Sequence, residues 1–131
     1  MKNLKTGIYV ILILALSSCA NVSKFPISAV SPAANIEMRR QQDNNGNTKI
    51  TITAKNLAGA ERLSPPKKMY VAWIILDSNE VRNIGQLDVT NAKKTKIETL
   101  IPSKFTDVFI TAEDQANVSY PTGVEISRIK F

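Results

Sequence analysis

No window of twelve residues between Asn35 and Phe131 keeps the 3.6-residue apolar period of an amphipathic helix. The stretch breaks instead into short runs rich in Ile, Val and Thr, separated by turn residues at regular spacing. Strands are expected at 35–42, 48–56, 69–77, 80–88, 94–101, 106–113 and 122–131. Seven strands in 97 residues, with no crossover helix between them, predict an all-β fold, an antiparallel Ig-like β-sandwich. Ala58–Leu63 has room for one helical turn before Pro65-Pro66 stops it.

The first hairpin carries a register test. Ile36 and Met38 alternate on one strand, and Ile50, Ile52 and Ala54 on the next. A two-residue Asn45-Gly46 turn would throw these apolar sets onto opposite faces. A three-residue loop, Asn44-Asn45-Gly46, pairs Met38 with Ile52 and Ile36 with Ala54. Gly46 then takes the left-handed position and Asp43 begins a type I turn. The core requirement selects the second arrangement.

Met69–Leu76, MYVAWIIL, is apolar on both faces and reads as a central strand, with Trp73 or its neighbours expected to fill the space between the sheets. Gly85 in the following strand marks a bulge or a close approach.

Composition narrows the chemistry. The chain has no His and a single Cys among 131 residues. Imidazole bases, Ser-His-Asp and Cys-His arrangements, and His/Cys zinc sites are therefore excluded. Asp43-Asn44-Asn45-Gly46-Asn47 has the oxygen-rich look of a calcium loop. An EF-hand, however, needs Gly at its sixth position and Glu at its twelfth, where this chain has Thr48 and Ala54. Glu113-Asp114 is the one adjacent carboxylate pair; neighbours on a strand point to opposite faces, so it reads as the solvated end of strand 106–113. No catalytic residue, metal site or cofactor is expected. Lys67-Lys68 and Lys93, Lys94 and Lys96 form the basic clusters. Their charge suits anionic lipid or polysaccharide; no aromatics interleave with them, which argues against nucleic acid, and solvated loops and an edge strand protected from pairing explain them equally well.

The N-terminus begins with Lys2 and Lys5 and continues into an apolar run, Ile8–Leu16. As a helix that run reaches about 14 Å, half the ~30 Å hydrocarbon core, which is the length of a signal-peptide h-region. Leu16-Ser17-Ser18-Cys19 resembles the bacterial lipobox, a bulky apolar residue and two small ones before a Cys. The resemblance implies a signal peptide over 1–18 and lipidation of Cys19, which would join the protein to a membrane. Two or three acyl chains anchor a protein stably, whereas one does not. Removal of residues 1–18 takes away Lys2 and Lys5 and lowers the formal charge from +6 to +4. Ala20, where lipoproteins kept in the inner membrane carry Asp, implies an outer-membrane location in the bacterial cell envelope. Residues 19–34 hold the lipidated Cys and then Pro26 and Pro32 among Ser and Ala. They read as a flexible tether able to reach about 50 Å, ahead of the sandwich domain at 35–131, the alternative being that Phe25 to Val30 lies along the domain as an edge segment.

In the second half, four segments resemble the extracytoplasmic domain of anti-sigma-K factors. They are Tyr70-Val71-Ala72-Trp73, Gly85-Gln86-Leu87, Val108–Glu113 and Pro121-Thr122-Gly123, in that order over roughly sixty residues. The resemblance implies a β-sandwich acting as a sensory or interaction module. Those factors hold sigma through a cytoplasmic helical domain and a transmembrane helix; here a lipobox stands in place of both, so sigma binding does not carry over. The sequence thus leads to a non-enzymatic module that binds an envelope protein or glycan. The alternatives are a stand-alone regulatory partner of an anti-sigma-type signalling system, or an enzyme whose site the sequence does not betray.

Overall fold

A computed structural model describes residues 21–88 and 94–131. The strands are β1 (Asn21–Lys24), β2 (Asn35–Gln42), β3 (Thr48–Lys55), β4 (Met69–Leu76), β5 (Val81–Leu87), β6 (Lys94–Ile101), β7 (Phe105–Glu113) and β8 (Glu125–Lys130). A single 3₁₀ turn, Ala60–Arg62, precedes Pro65-Pro66. Two antiparallel four-stranded sheets face each other, ordered β1-β2-β3-β6 and β5-β4-β7-β8. This is the β-sandwich that the strand spacing predicts, with one strand more.

The β2–β3 hairpin has the register chosen by the core. Met38 lies opposite Ile52 and Ile36 opposite Ala54. Gly46 has φ +81°, and the Asp43 N–H bonds the Asn47 carbonyl at 2.9 Å. Met38, Ile50 and Ile52 are fully buried. A slip of one residue would turn Ile50 and Ile52 outward and forfeit about 1.5–3 kcal/mol for each.

Connectivity follows from turn lengths. In an Ig constant domain the fourth of seven strands lies beside the fifth. Here the strand in that position, β5, pairs with β4 instead. Residues 77–80 form a tight turn, with the Leu76 N–H on the Glu80 carbonyl at 2.9 Å and Asn79 at φ +67°, so β5 folds straight back onto β4. The β4–β5 register shifts between Ala72 and Trp73, opposite Gly85. Gly85 has φ +132°, and a Cβ there would sit 2.6 Å from Ile97 Cδ1. Ile97 lies on β6 of the other sheet, so this bulge is where the two sheets close along one side.

Residues 21–34 correct the expectation of a flexible tether. β1 pairs with β2 along its whole length, from Asn21 opposite Arg40 to Lys24 opposite Glu37. Phe25 is buried and its N–H bonds the Ile36 carbonyl at 2.9 Å. Ser28 Oγ accepts the N–H groups of Val30 and Ser31, both at 3.1 Å. Ser31 Oγ accepts the Ala58 N–H at 3.1 Å, and Ser127 Oγ donates to the Pro26 carbonyl at 2.7 Å. Apolar Phe25 and the paired serines tie this segment across the open side of the sandwich. The part of the expected tether that precedes Asn21 lies outside the described residues.

Loops gather at two ends. Turns 43–47, 77–80 and 102–104 lie at the end where β1 begins and β8 stops. There the Arg40 guanidinium stacks on Phe131 at 4.2 Å, and Phe131 meets Phe105 edge-on at 5.5 Å. Segments 25–34, 56–68 and 114–124 form the opposite end. Tyr70 reaches that end from β4, its hydroxyl donating to the Ala58 carbonyl; burial, with Glu61 nearby, pushes its pKa up to about 12.

Candidate functional site: the outer face of the first sheet

The centre of the outer face of the second sheet is covered. Val71, Trp73 and Phe109 form a small cluster on that face, with Val118 of the 114–124 segment lying over it. Trp73 is fully buried, as expected for a central strand, but between β4 and this loop rather than between the sheets. The inward residues of β4 are Tyr70, Ala72, Ile74 and Leu76, which join the main core. Asn83 Nδ2 fastens the loop by donating to the carbonyls of Ala116 at 2.8 Å and Val118 at 3.0 Å.

Glu113 is the second fastening. It is fully buried, which corrects its reading as part of a solvated strand end; Asp114 is exposed and pairs with Lys67 at 3.2 Å. The Glu113 Oε1 atom accepts the Thr111 hydroxyl at 2.7 Å and the N–H groups of Thr122 at 2.9 Å and Gly123 at 3.2 Å. Its Oε2 atom accepts the Thr122 hydroxyl at 2.6 Å. Thr111 Oγ1 in turn accepts Trp73 Nε1–H at 2.8 Å. Burial pushes the Glu113 pKa up, but these donors outweigh it, so the carboxyl is held below its ordinary value. With its donors supplied by the loop and β7, the carboxylate is a latch closed to solvent. Trp73, Glu113 and Thr122-Gly123, drawn from three of the four segments behind the anti-sigma-K resemblance, thus meet in one hydrogen-bonded chain.

No described residue covers the outer face of the first sheet. Alternation along its strands directs Lys24 of β1, Arg39 of β2, Lys49 and Lys55 of β3, and Lys94 and Lys96 of β6 to that side. Glu37 and Glu98 are the carboxylates among them. Side chains of its four strands enclose a depression of about 300 Å³ with Thr51 and Thr53 among its lining. Glu98 pairs with Lys96 at 3.0 Å and with Lys49 at 3.8 Å. The Lys96 hydrogen bond, helped by Lys49, holds its carboxyl below the usual range. Arg39, Lys55 and Lys94 form no ion pair with any described residue. Lys55 stands directly opposite Lys94, a placement in which like charges destabilise a sheet.

Of the residues singled out from sequence, Lys94 and Lys96 belong to this face. Lys67 lies at the opposite end of the molecule's second sheet, beside Asp114. Asp43 stays in its turn, its carboxylate accepting the Asn45 N–H at 2.8 Å and the Asn47 N–H and side-chain amide at 2.9 and 3.0 Å. Cys19 and Lys93 lie outside the described residues. Among the described residues no group of His, Cys, Asp and Glu could hold a metal ion, and no helix is long and apolar enough to cross a membrane. Arg39, Lys49 and Lys55 had a legible signal in the polar side of the β2–β3 alternation. Their union with Lys94 and Lys96 depends on β6 pairing with β3, a contact across some forty residues that no local pattern announces. No family model matches the chain, and neither a curated protein nor a solved structure is significantly similar to it.

Proposed function

We propose that the chain is a lipid-anchored, non-catalytic binding module of the bacterial cell envelope, which takes an anionic partner on the outer face of its first sheet. One observation carries the choice of face. The centre of the second sheet's outer face lies under a loop with two fastenings, whereas the first sheet presents a depression with excess positive charge and a Lys55–Lys94 pair that no described carboxylate neutralises. A repulsive pair costs folding stability, so its placement beside an open depression fits a site that an anion completes. The anchor rests on the Leu16–Cys19 pattern, and the outer-membrane location on Ala20.

Labelling cells with an alkyne fatty acid tests the anchor. The tag should appear on the protein and vanish with Cys19→Ser; an unchanged signal in the variant contradicts lipidation. A regulatory role beside an anti-sigma-type signalling protein is the second reading. It is supported by the meeting of Trp73, Glu113, Thr122 and Gly123 in one cluster. Genes for a sigma factor and its anti-sigma partner beside this one would favour it.

A further inference from the structure

We propose that the partner of this face is an acidic polysaccharide, bound with its carboxylates on Arg39, Lys55, Lys94 and Lys96 and its sugar hydroxyls on Thr51 and Thr53. The inference rests on the reading of this face as a binding surface and adds the chemistry of the ligand.

The face combines two kinds of group. At its centre, Thr51 and Thr53 are half-buried, and neither hydroxyl has a partner among the described residues. Each therefore offers one donor and two acceptor sites to the depression, the hydrogen-bonding inventory of a sugar hydroxyl. Around them stand Arg39, Lys55 and Lys94, which pair with no described carboxylate, and Lys96, which shares Glu98 with Lys49. Strands lie about 4.8 Å apart, close to the length of one sugar ring, so a glycan crossing the sheet passes over roughly one strand per residue. A chain running obliquely, from Arg39 and Thr51 past Thr53 and Lys96 to Lys55 and Lys94, meets these cations while passing between Glu98, opposite Thr51, and Glu37, opposite Thr53.

Other polyanions fit less well. No aromatic residue lies on the face, so nucleobases have nothing to stack on. Protein interfaces are dominated by central aromatic or Arg anchors in desolvated pockets. The apolar residues here are Val22 and Leu100, half-exposed on the two edge strands β1 and β6, away from the centre. A bilayer is disfavoured by the anchor's place. Only Ala20 separates Cys19 from the first residue of β1, so a membrane holding Cys19 meets the end of the sandwich that carries turns 43–47, 77–80 and 102–104. The broad face then stands to the side of the bilayer.

The test uses the full chain purified in a non-ionic detergent, with polygalacturonate as the acidic glycan. Dextran supplies sugar without charge, polyglutamate supplies charge without sugar, and phosphatidylglycerol vesicles supply an anionic surface. Polygalacturonate should bind, weaken as salt rises through the screening range, and outbind dextran and polyglutamate, while vesicles take the chain up through its lipid anchor to the same extent with and without Lys94→Glu. Lys94→Glu should lower the affinity at least tenfold while the melting midpoint holds or rises, because the new carboxylate faces Lys55. Thr51→Val with Thr53→Val should weaken polygalacturonate but leave polyglutamate unchanged. Equal binding of polyglutamate and polygalacturonate, or vesicle binding that Lys94→Glu abolishes, would overturn the glycan assignment while leaving an anion-binding face in place. Binding of neither polyanion would remove both readings.

Discussion

Replacing Glu113 by Ala should cost about 3–6 kcal/mol, a large part of the 5–15 kcal/mol that holds a domain of this size together. The figure comes from the groups left behind. The N–H groups of Thr122 and Gly123 and the Thr111 hydroxyl lose their acceptor, and each unsatisfied buried donor costs about 1–3 kcal/mol. The Thr122 and Gly123 N–H groups are only partly buried and regain some bonding from water, which keeps the total below the simple sum. Glu113→Gln retains an oxygen at the Oε1 position, and its amide can donate to Thr122 Oγ1. It exchanges charge-assisted bonds for neutral ones and regains the desolvation of a charge, so about 1–2 kcal/mol is expected. The chain's single tryptophan, Trp73, lies beneath the same loop, so its emission in urea melts reports directly on the latch. pH supplies an independent check. The folded pKa of Glu113 lies below its ordinary value of 4.5. Its contribution is therefore complete above that value, where the unfolded chain is also ionised, and is lost as pH falls through the folded pKa. The acid limb of the stability curve should be shallower in Glu113→Gln than in the parent. Equal melts for Ala, Gln and the parent, or an unchanged acid limb in Gln, would refute the latch.

Trp73→Ala should cost about 3–5 kcal/mol through lost transfer energy and a cavity, with Trp73→Phe milder because most of the ring volume is kept although the bond to Thr111 is lost; a cost below 1 kcal/mol for Ala in urea melts would mean an exposed indole. Gly123→Ala should destabilise at least as much as Glu113→Gln, since a Cβ there would fall 1.5 Å from the Ala112 carbonyl oxygen and force residues 122–124 off Glu113; an unchanged melt would show that the approach is looser. Millimolar calcium and EDTA should both leave the thermal midpoint where it is, because the Asp43 carboxylate is engaged within its own turn. Even 1 kcal/mol of binding would move the midpoint of a domain this size by about 4–8 °C, so a calcium-dependent rise lost in Asp43→Ala would restore a metal role to that loop.

Elements whose faces differ were readable from sequence, and those decided by distant partners were not. The β2–β3 register follows from burying Met38 and Ile52 together, an energy that any alternative turn forfeits. β1 escaped notice because Asn-Val-Ser-Lys is four residues long, lacks an apolar alternation and runs into Pro26; its order comes from Phe25 and the serines beyond it. MYVAWIIL reads as central because it is apolar on both sides, and for the same reason it could not say on which side Trp73 lies. That depends on a loop forty residues away. Glu113 looked like a solvated carboxylate because its donors Thr122 and Gly123 lie in a different segment, brought near by the β7–β8 connection. The basic face was half visible in Lys94 and Lys96; the rest waited on the β3–β6 pairing.

Site-specific photo-cross-linking in intact cells puts the binding face to the most direct trial. A cross-linker at Thr51, on the floor of the depression, should capture an acidic glycan, and Lys94→Glu in the same chain should abolish the capture. A cross-linker at Tyr120, exposed on the loop that seals the second sheet, should stay uncoupled. Capture at Tyr120 with none at Thr51 would contradict the assignment and move the site to the 114–124 loop.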